Sequence, residues 1–294
     1  METAVNYSPP SLGRTLLILG RVSNLPTVWS NCAAGWLLGG GNVNDLRTLL
    51  LLCLGATFFY VGGMYLNDAC DAEYDRQYRK ERPIPAGAIS VRTVYALGFG
   101  GLVIGGVLFL LLGKNVAILG LLLGICILVY DLVHKFTVFS PVLMAFCRLF
   151  LFLAAVAAGD YGINGFAVWC AVVLACYIIG LSYIAKQESS LGILRFWPAL
   201  FMAAPVVLAY IVNGNDFRLA AWWFSALLIG WVVWCLQFTF WAKERNIGRT
   251  VSGLLAGIVL VDLLAIAGGS PVMTAVFLVL FGLALVFQKF IPAT

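Results

Sequence analysis

The chain has 294 residues, of which 62% are hydrophobic and 11% charged, with a formal net charge of +5 and a mean hydropathy of +0.99. A soluble domain of that composition would lack the polar surface needed to stay dissolved, so a polytopic membrane protein is indicated. The sequence has no basic stripe with interleaved aromatics, which excludes a nucleic-acid partner, and no strand-like alternation, which excludes a transmembrane barrel.

A helix needs about 20 apolar residues to cross the hydrocarbon core. Apolar segments fall at roughly 15–38, 48–67, 91–113, 115–130, 138–159, 165–186, 195–213, 219–241, 250–268 and 271–288. They predict an all-α transmembrane bundle of about nine to ten helices in a single domain, 1–294. The fourth segment is short and is expected to break or tilt. The opening METAVNYSPPSLGR does not read as a signal peptide, because its apolar stretch continues to full spanning length without a small-residue cleavage site. With the N-terminus in the cytoplasm, thirteen of the eighteen Lys and Arg residues fall on the cytoplasmic side. Only Arg47, Lys114 and Arg218 fall opposite. That bias sets an N-in topology in the lipid bilayer, and a bacterial inner membrane is the expected host. The eight cysteines form no CxxC pair and mostly lie in apolar segments, where they read as small packing residues.

Taken in chain order, the first segment holds Arg21 and Asn24, about one turn apart. An Arg inside a membrane segment is a functional candidate, with snorkelling to the nearby interface as the competing account. The second segment runs into YLNDACDAEYDRQYRKERPIP, Tyr65 to Pro85. Residues 68–75 carry four of the chain's thirteen acids, and Arg76, Arg79, Lys80 and Arg82 follow. Asp68, Asp71 and Asp75 are spaced i, i+3, i+7, so a helix would set the three carboxylates on one stripe. Acids cost about 2.5–3.5 kcal/mol each at the bilayer centre and less toward the interface. A hard divalent cation would offset that cost. Mg²⁺ takes oxygen ligands, keeps several waters and bridges carboxylates to phosphates. Asn67 would orient a carboxylate or ligate the metal through its carbonyl oxygen, and the bases behind would contact the outer oxygens of a diphosphate. The same residues also suit a solvated loop in which acids and bases pair with each other.

Further on, YDLVHK holds Tyr130, Asp131, His134 and Lys135. Lys135 is the phosphate candidate, whereas the lone His134 at a helix end reads as structural. Arg148 lies too deep for easy snorkelling and is expected to pair with an acid or the substrate. Asp262 is equally deep, and a buried pair with a base is its expected role. The aromatics suit interfacial belts and packing, with some able to stabilise a carbocation.

The stretch NDACDAEYD, Asn67 to Asp75, resembles the NDxxDxxxD motif of the UbiA superfamily of intramembrane prenyltransferases. RVSNLPTVW in the first segment, RPIPAGAIS at 82–90 and YDLVHKFTVFSPVLMAFCR are similar to further family segments, the last most like the EboC-type branch. The resemblance spans roughly residues 15–250. It implies about nine helices around a lipid-open cavity and two facing acidic motifs that hold Mg²⁺ against an isoprenoid diphosphate. Ionisation would give an allylic carbocation that an acceptor, often aromatic, captures. Asp68, Asp71 and Asp75 would be metal ligands and catalytic residues, with Asn67 beside them. Arg21, Asn24, Asn67, Arg76, Arg79, Arg82, Tyr130, Lys135 and Arg148 would bind substrate.

The match departs at the second motif, approximately DxxYAxxD. Here GLSYIAKQESS, Gly180 to Ser190, keeps Tyr183 but has Gly180 and Gln187 in place of the acids. Glu188 is one residue off. Tyr183, Lys186 and Glu188 are the expected catalytic members of this stretch, with Lys186 supplying positive charge that a second metal would otherwise bring. Two other readings stay open. One is a terpene cyclase, in which the substrate's own double bond captures the cation. The other is a non-catalytic carrier of a lipophilic metabolite, which the altered second motif favours.

Overall fold

A computed structural model describes residues 11–42, 45–187, 195–212 and 215–293. Proline decides where the first apolar segment breaks. Helix α1 (Leu12–Leu19) is followed by a 3₁₀ turn, Val22–Asn24, and then α2 (Leu25–Leu38), which carries Pro26 in its first turn. A helix running through from α1 would set the Pro26 ring against the carbonyl of residue 22 and would find no N–H to bond it. The backbone turns at Arg21, which adopts left-handed angles (φ 42°, ψ 46°) and is the one non-glycine residue with positive φ among those described. That conformation costs a residue with a Cβ about 1–2 kcal/mol.

Next come α3 (Leu46–Cys70), the short α4 (Ala72–Tyr78), α5 (Val91–Leu111), α6 (Lys114–Val133), α7 (Ser140–Ala157) and α8 (Gly165–Lys186). The fourth apolar segment, expected to break or tilt, is the uninterrupted α6 of 20 residues. The seventh segment is divided, again just ahead of a proline. Its halves are α9 (Trp197–Phe201) and α10 (Ala204–Ile211), with Pro205 in the first turn of the second. Helices α11 (Asn215–Phe240), α12 (Ile247–Ala265) and α13 (Pro271–Phe290) complete the bundle. Among the described residues, eight helices are long and apolar enough to span a membrane, and there is no strand. The all-helical expectation therefore holds.

Inside lipid there is little hydrophobic drive between helices, so close backbone approach and hydrogen bonds hold them. Helices α3 and α5 meet through glycines. A Cβ at Gly101 would lie 3.0 Å from the Gly62 Cα and the Phe58 carbonyl oxygen, and one at Gly62 would lie 2.8 Å from the Gly98 carbonyl oxygen. The Asn164 side chain caps α8 by accepting from Ala167 N–H and donates to the Leu38 carbonyl at 2.7 Å, tying the start of α8 to the end of α2. Helix α12 is the most buried span and α13 the least. Large apolar side chains such as Leu50, Val103, Leu121 and Trp223 face outward, as a lipid-facing surface requires. Two large apolar cores form, one around α8 and α12 and the other around α2, α3 and α6, with a small third cluster of Leu19, Ala69, Ala72, Ile84 and Val94 beside them. A cavity lies between the two large cores.

Candidate active site

The cavity has a volume of about 760 Å³ and two unlike ends. Its apolar end is walled by Val28, Phe59, Ile127, Leu151, Leu181 and Ile258, from α2, α3, α6, α7, α8 and α12. Its polar end gathers Arg21, Asn67, Asp71, Asp75, Arg79, Arg82, Tyr130, Asp131, His134, Lys135 and Lys186. Asn67 lies at the end of α3, Tyr130 and Asp131 at the end of α6, Lys186 at the end of α8 and Asp75 in α4, and the rest lie in turns between helices, so the charges cluster at one end of the bundle.

The acid stripe forms as its spacing predicts. Helix α3 stops at Cys70 and α4 starts at Ala72. The hydrogen bonds Asp71 N–H to Asn67 O and Asp75 N–H to Asp71 O nonetheless carry the helical path across. Arg82 shows that Asp68 and Asp75 share a face, because its Nη1 lies 3.3 Å from Asp68 Oδ1 and 2.9 Å from Asp75 Oδ2. Arg21 Nη2 approaches the same Asp68 oxygen at 3.4 Å. Asp68 is therefore clamped between two guanidinium groups and does not line the cavity, whereas Asp71 and Asp75 do. Lys135 Nζ lies 2.7 Å from Asp71 Oδ1, and His134 Nε2 lies 3.4 Å from it. Partial burial pushes the Asp71 carboxyl up, but hydrogen bonds from His134 and Lys135 outweigh this and hold it below its ordinary value. Burial likewise pulls the His134 imidazole down, and its bond to Asp71 reverses that and raises it. The acids and bases of the segment do pair, as a solvated loop would have them, but the pairs are largely buried and face a cavity.

Other predicted residues fall in several places. Asn24 donates to Tyr60 Oη at 3.2 Å and to the Ala293 carbonyl at 2.9 Å, fixing the end of the described chain beside the cavity. Asn67 donates to Asp131 Oδ1 at 3.1 Å, so it orients a carboxylate of α6. Arg79 lines the polar end. Arg76 turns away: its half-exposed guanidinium pairs with Glu73 at 2.7 Å. Tyr183 also misses the cavity, donating to the Val138 carbonyl at 3.1 Å and packing on Trp197. Lys186 lines the wall and donates to Thr137 O at 2.8 Å and Ser140 Oγ at 3.2 Å, which ties α8 to α7. Glu188 lies outside the described residues.

The expected direct pairing of Arg148 or Asp262 with an opposite charge is replaced by a relay. Asp262 Oδ2 accepts from Ser30 at 2.5 Å and Asn31 at 2.7 Å, and Arg148 donates to Asn31 Oδ1 at 2.7 Å and to Thr27. Asn31 is the middle link because its amide donates on one side and accepts on the other. Arg148 still reaches the cavity wall.

Sequence reasoning missed Asp131 as a site residue and took His134 as merely structural. The signal was the spacing within YDLVHK: His134 and Lys135 lie three and four residues beyond Asp131, one helical turn on. Tyr60, on the cavity wall with its ring 5.9 Å from the Arg148 guanidinium carbon, gave no sequence signal.

Among the described residues, no three His, Cys, Asp or Glu side chains converge closely enough to enclose an ion. Mg²⁺ does not need such a cage, since it keeps several waters and takes one or two carboxylates with substrate phosphates. Asp75 Oδ1 is buried and has no hydrogen-bond partner. It is a hard oxygen donor at the polar end, and the residues therefore fit the ion.

Fold and cavity together define a multi-pass integral membrane protein with a charged-ended chamber between its helices. The sequence model of the UbiA prenyltransferase family matches residues 27–193, more than half of the chain, and the chain belongs to that family. It is similar to the 4-hydroxybenzoate octaprenyltransferase of Pseudomonas fluorescens, at 27% identity over 243 residues covering 75% of this chain and 78% of that protein. It is also similar to the digeranylgeranylglyceryl phosphate synthase of Metallosphaera sedula, at 35% identity over 86 residues. That match covers 29% of this chain and only 30% of the synthase's length. Among solved structures, a UbiA homologue from Archaeoglobus fulgidus bound to GPP and Mg²⁺ superimposes with a TM-score of 0.63 at 15% identity. The match covers 87% of this chain and 99% of that one. One from Aeropyrum pernix K1 gives 0.62 at 19% identity, covering 85% and 98%. At such identities the likeness is one of fold.

Proposed function

We propose that the chain is an intramembrane prenyltransferase that uses a Mg²⁺-bound isoprenoid diphosphate to prenylate a small lipophilic or aromatic acceptor. The observation that carries this reading is the two-ended cavity, with carboxylates and bases at one end and an apolar chamber at the other. Its volume lies within the range of about 300–1,000 Å³ usual for ligand sites. Family membership and relatives named as prenyltransferases support it, as does a fold neighbour bound to GPP and Mg²⁺.

On this reading Asp71 and Asp75 hold Mg²⁺, with Asp68 behind them kept in register by Arg21 and Arg82. The ion, when bound, supplies Lewis-acid charge to the leaving diphosphate. Arg79, Arg82, Lys135 and Lys186 neutralise the diphosphate oxygens. The apolar wall holds the isoprenoid chain and excludes water from the carbon that loses the diphosphate. The C–O bond breaks with its electron pair leaving on the diphosphate. A bond from the acceptor to that carbon then forms, and the acceptor gives up a proton.

The whole chain acts as one unit in this reading. The basic bias of the loops supports a cytoplasmic active site in a bacterial inner membrane, and the YDLVHK segment supports the EboC-type branch. The test is pyrophosphate release by the purified protein with farnesyl or geranylgeranyl diphosphate and Mg²⁺, with 4-hydroxybenzoate or a glyceryl phosphate as acceptor. Release that vanishes in Asp71→Ala is expected. Its absence with every chain length and acceptor would overturn the enzyme in favour of a carrier, and release with a cyclised hydrocarbon product would identify a cyclase.

A further inference from the structure

Asp131 sits in α6, faces the cavity and is only 6% exposed. Its Oδ1 accepts from Asn67 of the acidic stripe at 3.1 Å. Its Oδ2 is buried and has no hydrogen-bond partner, and no cation among the described residues stands within ion-pair distance. Leaving one oxygen of a buried carboxylate without a partner is unfavourable, and the burial of an uncompensated charge adds to that. Asp262 also leaves one oxygen without a partner, but it sits in the Ser30–Asn31–Arg148 relay, whereas Asp131 lies at the charged end of the cavity beside Asp71.

The far side of the cavity offers no described acid to face the stripe. A Cβ at Gly180 would stand 2.5 Å from the Pro198 carbonyl oxygen, so α9 packing leaves no room for a side chain there. Gln187 is engaged with the Arg195 backbone, accepting from its N–H at 2.7 Å. What α8 presents at this end is Ser182, Ala185 and Lys186. The carboxylate that completes the polar end from a helix outside α3 and α4 comes from α6 instead. Asp131 adjoins the stripe from the neighbouring helix, with the partners of Asp71, His134 and Lys135, one turn beyond it.

We propose that Asp131 is the second carboxylate arm of this site, a ligand that receives a divalent cation bridged to the diphosphate from the α6 side. Asn67 is then the part that aims it, binding one oxygen and leaving the other for the ion. The inference rests on the prenyltransferase reading above, and the experiment separates the two.

The probe is Mn²⁺ with inorganic pyrophosphate, and free Mn²⁺ is read by electron paramagnetic resonance on the purified full chain. Wild-type protein is expected to bind Mn²⁺ in the presence of pyrophosphate. Asp131→Asn is expected to bind it at least tenfold more weakly while melting within a few degrees of wild type in chelator, because Asn keeps the oxygen that accepts from Asn67. Equal Mn²⁺ affinity in the two proteins would overturn the role of Asp131 and leave the prenyltransferase reading standing. Failure of wild-type protein to bind Mn²⁺ with pyrophosphate would overturn both. A measurement on unaltered protein removes any dependence on the variant's folding. Fe²⁺ loaded with pyrophosphate, then ascorbate and peroxide, cuts the backbone beside the bound ion. Cuts near residue 131 as well as in residues 67–75 support the proposal, and cuts in 67–75 alone overturn it.

Discussion

Arg82 is the residue whose loss the structure prices most directly. Its guanidinium holds two acids at once, Asp75 at 2.9 Å and Asp68 at 3.3 Å, whose side chains are only 3% and 10% exposed. Asp75 has no other cation within ion-pair distance among the described residues, and its second oxygen is already without a partner. Removing one member of a buried pair costs about 3–5 kcal/mol. Two features lower that here: the Arg82 side chain is 21% exposed, and Asp68 keeps Arg21. A loss of about 2–3 kcal/mol is therefore expected for Arg82→Gln. For a chain of this size that corresponds to a melting shift of about 3–5 °C, measured at one fixed scan rate in detergent with chelator present. Adding Mg²⁺ should narrow the gap, because the freed carboxylates then have a cation to take. Equal melting of variant and wild type in chelator would refute the argument that Arg82 balances these acids. A gap that Mg²⁺ leaves unchanged would refute their readiness for a divalent ion.

Adjacent glycines on α5 give a matched pair. Gly101→Ala should destabilise by about 1–3 kcal/mol through overpacking, because its Cβ would meet Gly62 at 3.0 Å, whereas Gly100 has open space around it and Gly100→Ala should be neutral or slightly stabilising in the same melting assay. Restoring an acid to the second motif by Gly180→Asp should lower stability and not raise turnover, since the new side chain collides with Pro198; Tyr183→Phe should leave turnover within about twofold, and a large fall would show that Tyr183 acts at the cavity after all. Mg²⁺ and pyrophosphate should bind cooperatively, each raising the other's affinity about 5–150-fold, and independent binding by calorimetry would refute an exchange of partners between the acids and bases of the polar end.

Much of this was legible because membrane sequences carry strong signals. Ten apolar runs became eight unbroken spans and two broken ones, and the acid spacing survived a local interruption at Asp71. The breaks were marked too, by Pro26 and Pro205, though apolar length alone hides them. What the sequence did not show is which side of a helix end each charge takes. Arg76 and Arg82 look alike in the basic run, yet one pairs with exposed Glu73 and the other with buried Asp68 and Asp75. The choice depends on where the chain doubles back between 79 and 90, a tertiary matter. Asp131 and Asp262 likewise look like isolated membrane acids until α3 brings Asn67 and α2 brings Ser30 and Asn31 against them.

The pairing at the polar end also explains how a site this charged tolerates burial before any ligand arrives. Asp68 sits on Arg21 and Arg82, Asp71 on Lys135 and His134, and Asp75 on Arg82. Each acid is thus held by a base that is itself suited to phosphate. A diphosphate arriving alone would draw the bases away and leave buried carboxylates uncompensated. A divalent ion arriving alone would satisfy the acids and leave the partly exposed guanidinium and ammonium groups of Arg21, Arg82 and Lys135 facing one another. Were both to arrive, the acids would have the metal and the bases the phosphates as partners, and no charge would be stranded. On the proposed function, the cost of either half-exchange would be an uncompensated charge, heaviest for the buried acids, and that cost would couple the two ligands. Asp75 Oδ1 and Asp131 Oδ2 stand outside the exchange, since neither has a base to give up. They are buried oxygens that a cation could take as ligands without first displacing a hydrogen-bond partner.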